Sequence, residues 1–121
     1  MLVFSTRNKQ LIVDSQHALQ NGLAQDGGLY IPTSFPALNL SDLLKGDYRS
    51  IQKRILSLFF ENDNLSEIVD EATNTFSHLE VVPLTKLQHT YVLELYHGPS
   101  FAFKDIALQI LPHIIQPSVK T

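Results

Sequence analysis

The sequence predicts an α+β fold, a small amino-terminal domain built from short strands and amphipathic helices. Three observations carry this expectation. The first residues read as a strand, the middle of the chain repeats apolar residues with helical period, and the region beyond His78 becomes β-rich. At 121 residues and 44% hydrophobic side chains, the chain can bury one domain-sized core, and no compositional break divides it.

Leu2 to Thr6 form the first expected strand. Asp14 or Ser15 then caps a short helix through Leu19 that Gly22 stops. Asp26-Gly27-Gly28 signals a turn, because glycine takes positive φ without steric cost, and it leads into an extended Leu29-Tyr30-Ile31 before Pro32. Residues Phe35 to Leu40 read as a proline-punctuated loop, after which Ser41 caps a short helical stretch ending near Gly46. Two amphipathic helices follow. The first places Ile51, Ile55, Leu58 and Phe59 on one face, and the second Leu65, Ile68, Val69, Ala72 and Phe76. Gln52, Lys53, Arg54, Glu67, Asp70 and Glu71 lie opposite and read as solvated surface.

Val81-Val82-Pro83-Leu84 and Tyr91 to Tyr96 flank a polar Lys86 to Thr90 segment and predict a β-hairpin, with Pro83 confining the first strand to an edge. His97-Gly98-Pro99-Ser100 turns the chain into a last helix from about Ala102 to Leu111. That helix is apolar nearly all round, which suits a core larger than this chain supplies, and Pro112 kinks or ends it.

Composition excludes several functions. A net charge of -3 with scattered basic residues leaves no basic face on which nucleic acid could release counterions. Without cysteine there is neither a disulfide framework nor a thiolate metal site. The five histidines never fall at i, i+3 or i, i+4 spacing, so no metal site is expected. No apolar run approaches the roughly 18 residues of a membrane span, and the amino terminus is too short in its apolar part for a signal peptide, which points to the cytoplasm. The five glycines form neither a Walker A pattern nor a G-x-G-x-x-G loop.

Lys104 is the one basic side chain inside the apolar run Phe101 to Leu108, in the first turn of the expected helix. Apolar surroundings and the positive helix end both favour a neutral, nucleophilic amine there, the form that makes Schiff bases with carbonyl compounds. The alternative is a Lys104 that snorkels to solvent while Asp105 sits favourably on the helix dipole. Composition alone leaves both readings open. Ser100 either caps the last helix or contacts an anionic ligand.

Two segments, Gly22-Leu23-Ala24-Gln25-Asp26-Gly27-Gly28-Leu29-Tyr30-Ile31-Pro32 and Glu94-Leu95-Tyr96-His97-Gly98-Pro99-Ser100-Phe101-Ala102-Phe103-Lys104-Asp105, together with the opening Phe4-Ser5-Thr6-Arg7, resemble the threonine synthase family. The resemblance runs over nearly the whole chain. It implies a domain at residues 1–90 and, from 91 to 121, the incomplete start of the α/β region of an enzyme that uses pyridoxal 5'-phosphate (PLP). It further implies that Lys104 holds PLP covalently, that Phe103 packs beside the cofactor, and that Ser100 lines the substrate site. The implied reaction converts O-phospho-L-homoserine and water into L-threonine and phosphate. In the family a Thr-Ser-Gly-Asp-Thr-Gly-like loop that helps bind the cofactor follows the lysine helix. This sequence reaches Thr121 before any such loop, so a fragment inactive on its own is expected. Two rivals stand beside that reading: a threonine synthase-like phospho-lyase, and a noncatalytic module whose apolar last helix docks on a partner.

Overall fold

The computed structural model describes residues 1–62 and 64–115. It is an α+β structure, as the sequence predicts. Strands β1 (Leu2–Ser5), β2 (Ile12–Asp14) and β3 (Tyr30–Pro32) form an antiparallel sheet in the order β2-β1-β3, with β1 central. Pairing Val3 with both Val13 and Pro32 buries Val3, the one β1 residue that faces the core with Ser5. Strand β2 was not expected. It arises because the Asn8 side chain accepts from the Gln10 amide and its carbonyl from the Leu11 amide, folding the chain back so that Leu11 accepts from Ser5. Pro32 does not end the sheet but closes β3, on an edge where its missing N–H costs nothing.

Helix α1 (Ser15–Asn21) starts at Asp14, whose carboxylate accepts from the His17 amide, and stops at Gly22 with φ 70. Such a cap contributes about 1 kcal/mol. The turn at residues 26–28 is built against the end of β1. Ser5 is fully buried and donates its hydroxyl to both Asp26 oxygens at 2.7 and 2.9 Å, while the Gly28 amide donates to the same carboxylate. A Cβ on Gly28 would strike the Ser5 hydroxyl, and Gly27 needs φ 75 beneath the Arg7 guanidinium. The opening Phe4-Ser5-Thr6-Arg7 and the Asp26-Gly27-Gly28 turn are thus two halves of one hydrogen-bonded clasp.

Helices α2 (Leu40–Leu43), α3 (Tyr48–Phe59) and α4 (Leu65–Thr73) follow. Asn39, not Ser41, caps α2, since its side-chain oxygen accepts from both the amide and the hydroxyl of Ser41. Helix α4 ends at Thr73, leaving Phe76 outside it. The hydroxyls of Thr73 and Thr75 donate back to the carbonyls of Val69 and Ala72, competing with a further helical turn. The charged faces are also not simply solvated: Lys53 of α3 meets Asp70 of α4 at 2.7 Å with both side chains partly buried, and Gln52 is partly buried beside the Tyr48 hydroxyl. The Lys53–Asp70 pair joins the two helices.

The hairpin consists of β4 (Leu84–Leu87) and β5 (Thr90–Leu93). Pro83 precedes β4 and lies outside the strand, its carbonyl accepting from the Glu94 amide at 3.0 Å. Val81 is buried with φ 63, a left-handed conformation that a β-branched side chain rarely adopts. Both faces of the hairpin are exposed, Leu84, Leu87, Tyr91, Val92 and Leu93 among them.

The single expected helix from Ala102 to Leu111 is instead two short ones, α5 (Asp105–Leu108) and α6 (Leu111–Ile115). Pro112 gives the physical reason. It has no N–H for the Leu108 carbonyl and its ring would clash there, whereas the first turn of a new helix tolerates it. The core cluster gathers Leu65, Ile68 and Ala72 of α4 with Ile110 and Ile114, flanked by Leu19, Leu56 and Phe60. Between α3 and the α5–α6 pair an open apolar groove of about 410 Å³ remains, lined by Ile51, Ile55, Ile106 and Leu111 among others.

Candidate functional site

The segment His97 to Asp105 carries the residues singled out by sequence, and a buried carboxylate organises it. Asp105, the first residue of α5, is 2% exposed. Its Oδ2 accepts from both the amide and the hydroxyl of Ser100 at 2.8 Å. Burial pushes the Asp105 carboxyl up, but the hydrogen bonds from the Ser100 hydroxyl and amide, supported by Gln109 and the Ala102 backbone amide, hold it below the usual carboxylate range. Gly98 fits directly against this carboxylate: a Cβ there would lie 2.5 Å from Oδ2 and 2.8 Å from Cγ. Close approach, not a special φ, is what requires glycine at this position.

The pairing of Ser100 with Asp105 bears on the capping alternative. Ser100 does not cap the helix; it donates to the helix's first residue, and the chain between them closes into a loop with Phe101 at φ 57. Phe101 and Phe103 are 79% and 63% exposed. Lys104 stands between the loop and α5, at the position before the first helical residue and not inside the first turn. Its side chain is exposed, and Phe101 and Phe103 of the same apolar run face solvent as well. The desolvated environment expected for Lys104 is therefore not supplied by the described residues. The loop does bring Ser100, Phe103 and Lys104 onto one short, hydrogen-bonded segment.

A second carboxylate, missed by the sequence reading, sits at the entry to the loop. Glu94 accepts from the Thr85 hydroxyl at 2.5 Å and pairs with His97 Nε2 at 2.7 Å. The hydrogen bonds from Thr85, His97 and Tyr96 hold the Glu94 carboxyl down at about 2. His97 also contacts the rings of His78 and Tyr96, at centroid separations of 5.0 and 4.6 Å, and its carbonyl accepts from the Ser77 amide. Only hairpin register brings Thr85 to Glu94, so nothing local in the sequence announces the pair.

These carboxylates predict the acid response of the fold. Asp26 is lowered chiefly by the Ser5 hydroxyl and then the Gly28 amide. Each of the three carboxylates has a folded-state pKa below its ordinary value, so the stabilisation is complete above the ordinary carboxylate range and is lost as pH falls through the folded values. For Glu94 the window runs from its ordinary 4.5 down to about 2. Urea midpoints should hold between pH 7 and 5 and fall steadily below 4.5, less steeply in a Glu94→Gln variant. A midpoint rising on acidification would contradict the assignment.

Fold and site define an α+β module that presents the Lys104 amine on a loop held by a buried aspartate. The family described as Threonine synthase N terminus matches residues 3–73, more than half of the chain. The chain belongs to the threonine synthase family. Threonine synthase of Schizosaccharomyces pombe is 37% identical over 93% of the chain, and the Threonine synthase-like 2 protein of Rattus norvegicus 36% identical over 93%. The chain spans about a quarter of the length of these curated relatives, 24% and 25% respectively. The crystal structure of PLP-bound threonine synthase from Brucella melitensis superposes with a TM-score of 0.88 at 34% identity, covering 97% of this chain and 27% of that one.

Proposed function

We propose that the chain supplies the amino-terminal part and the cofactor lysine of a PLP-dependent threonine synthase, a lyase converting O-phospho-L-homoserine and water into L-threonine and phosphate. One observation carries this reading: an exposed Lys104 beside a buried, fully engaged Asp105, on a loop whose backbone the Ser100 and Gly98 contacts fix. The residues present fit a covalently held aldehyde cofactor, since the amine is open to approach while its backbone is tethered. PLP, when bound, supplies an electron sink for carbanionic chemistry at the substrate's α and β carbons.

Lys104 would hold the cofactor and, once freed by the substrate amine, carry protons at those two carbons while phosphate leaves from the γ carbon and water adds at the β carbon. Phe103, exposed next to Lys104, would pack beside the cofactor ring. Ser100 would line the substrate side, with its hydroxyl oxygen still able to accept while it donates to Asp105. In this reading residues 1–90 form the amino-terminal domain and 91–121 begin the cofactor region. The protein acts on a small molecule in the cytoplasm, independently of nucleic acid and membrane. No helix among the described residues is long and apolar enough to cross a membrane.

A second reading is favoured by the relatives themselves. The Threonine synthase-like 2 protein of Rattus norvegicus matches at 36% identity beside 37% for threonine synthase of Schizosaccharomyces pombe, which supports keeping a phospho-lyase that would use Lys104 to eliminate phosphate without completing threonine. Incubation of the chain with PLP, borohydride reduction and peptide mapping tests the shared step. Selective labelling of Lys104 is the expected result; labelling spread evenly over all lysines would remove the basis for both readings.

A further inference from the structure

We propose that Glu94 is a positioning residue: its carboxylate ties the β4–β5 hairpin to the His97–Lys104 loop and thereby sets where Lys104 stands. The geometry is continuous. Thr85, on β4, donates to Glu94 Oε1 at 2.5 Å, and Glu94 Oε2 meets His97 Nε2 at 2.7 Å. Glu94 and His97 side chains are each only 17% exposed, although the hairpin around them is open on both faces. His97 is held from the other side by Ser77, whose amide and hydroxyl donate to its carbonyl at 2.9 and 3.2 Å. The next residue is Gly98, pressed against Asp105, which binds Ser100 and adjoins Lys104.

Thr85, Glu94, His97, Gly98 and Asp105 therefore form one mechanical path from an exposed hairpin to the lysine. Charge-assisted hydrogen bonds are stronger than neutral ones, and a carboxylate held through both its oxygens resists rotation. Glu94 touches neither Lys104 nor its amine, so it acts through the loop. The consequence for chemistry rests on the Lys104 reading given above, whereas the tie itself does not.

Amide hydrogen exchange on the full chain, read at Ser77, Phe101 and Asp105, tests the tie, with Thr85→Val, Thr85→Ser and Glu94→Gln as variants. Thr85→Val keeps shape and strand preference but removes the donor, and should speed exchange at these amides about tenfold, the order expected for one hydrogen bond to a charged group. Thr85→Ser should restore protection to within about twofold, a rescue that a purely steric role would not show, and α4 amides should not change in any variant. Borohydride trapping of PLP at Lys104 supplies the second readout, slowed in Thr85→Val and recovered in Thr85→Ser. Unchanged exchange at Phe101 and Asp105 in both Thr85→Val and Glu94→Gln would overturn the proposal. A loosened loop with Lys104 trapped at the wild-type rate would also overturn it, because the lysine would then be indifferent to the tie. Should wild-type Lys104 take no label, the function proposed above fails and exchange alone decides whether Glu94 holds the loop.

Discussion

Lys104→Ala should abolish borohydride-trapped PLP on this segment while leaving the fold in place. The side chain is exposed, lies outside the core cluster, and precedes the first residue of α5. Removing it costs no buried contact, so stability should move by no more than about 0.5 kcal/mol, as for surface substitutions generally. Loss of the label, in contrast, should be complete at that peptide, because the amine is the only group there able to condense with the aldehyde. Thermal unfolding and peptide mapping on the same sample separate the effects. A large drop in the unfolding midpoint would mean that Lys104 is a structural residue.

Gly98→Ala is expected to be the most damaging single methyl group in the loop. The added carbon would meet Asp105 Cβ, Cγ and Oδ2 at once, all on a side chain that is buried and pinned by Ser100. Neither partner can yield by simple rotation: moving Asp105 breaks both Ser100 bonds, and moving the backbone pulls on the His97 carbonyl held by Ser77. Overpacking of this kind costs about 1–3 kcal/mol. The unfolding midpoint should fall accordingly, and trapping at Lys104 should slow with it. Equal labelling rates in Gly98→Ala and wild type would show that the Gly98–Asp105 contact does not govern the lysine.

Much of this architecture was legible in order along the chain. Asp14 and Gly22 bracket α1 as capping chemistry requires, and the apolar positions Leu65, Ile68 and Ala72 of α4 form the core that their period predicts. A hairpin in this region and the turn at His97 to Ser100 were visible for the same local reason: strand-forming residues broken by polar or glycine-proline punctuation. The strands themselves were misplaced: Val81 to Pro83 precede β4, while Lys86, Leu87 and Thr90, read as the connection, lie within the strands. Where local signals competed, the reading slipped. Asn39 outcompeted Ser41 as a cap, and back-bonding threonines ended α4 before Phe76. Pro112 split the last helix four residues earlier than its own position, because the cost of a proline falls on the carbonyl one turn before it.

The sequence by itself determined the α+β class, the strongest helix caps, the amphipathic core face of α4 and the family to which Lys104's segment is similar. All of these depend on neighbours within a turn or two, or on residue identities alone. Tertiary structure decided what no spacing could express: that Ser5 closes on Asp26, that Thr85 reaches Glu94, and that Ser100 serves Asp105 instead of capping. It also decided that Lys104 is exposed among the described residues. Burial depends on what packs against a side chain from elsewhere in the fold, and an apolar run around a lysine specifies its neighbours in sequence without specifying whether they face it.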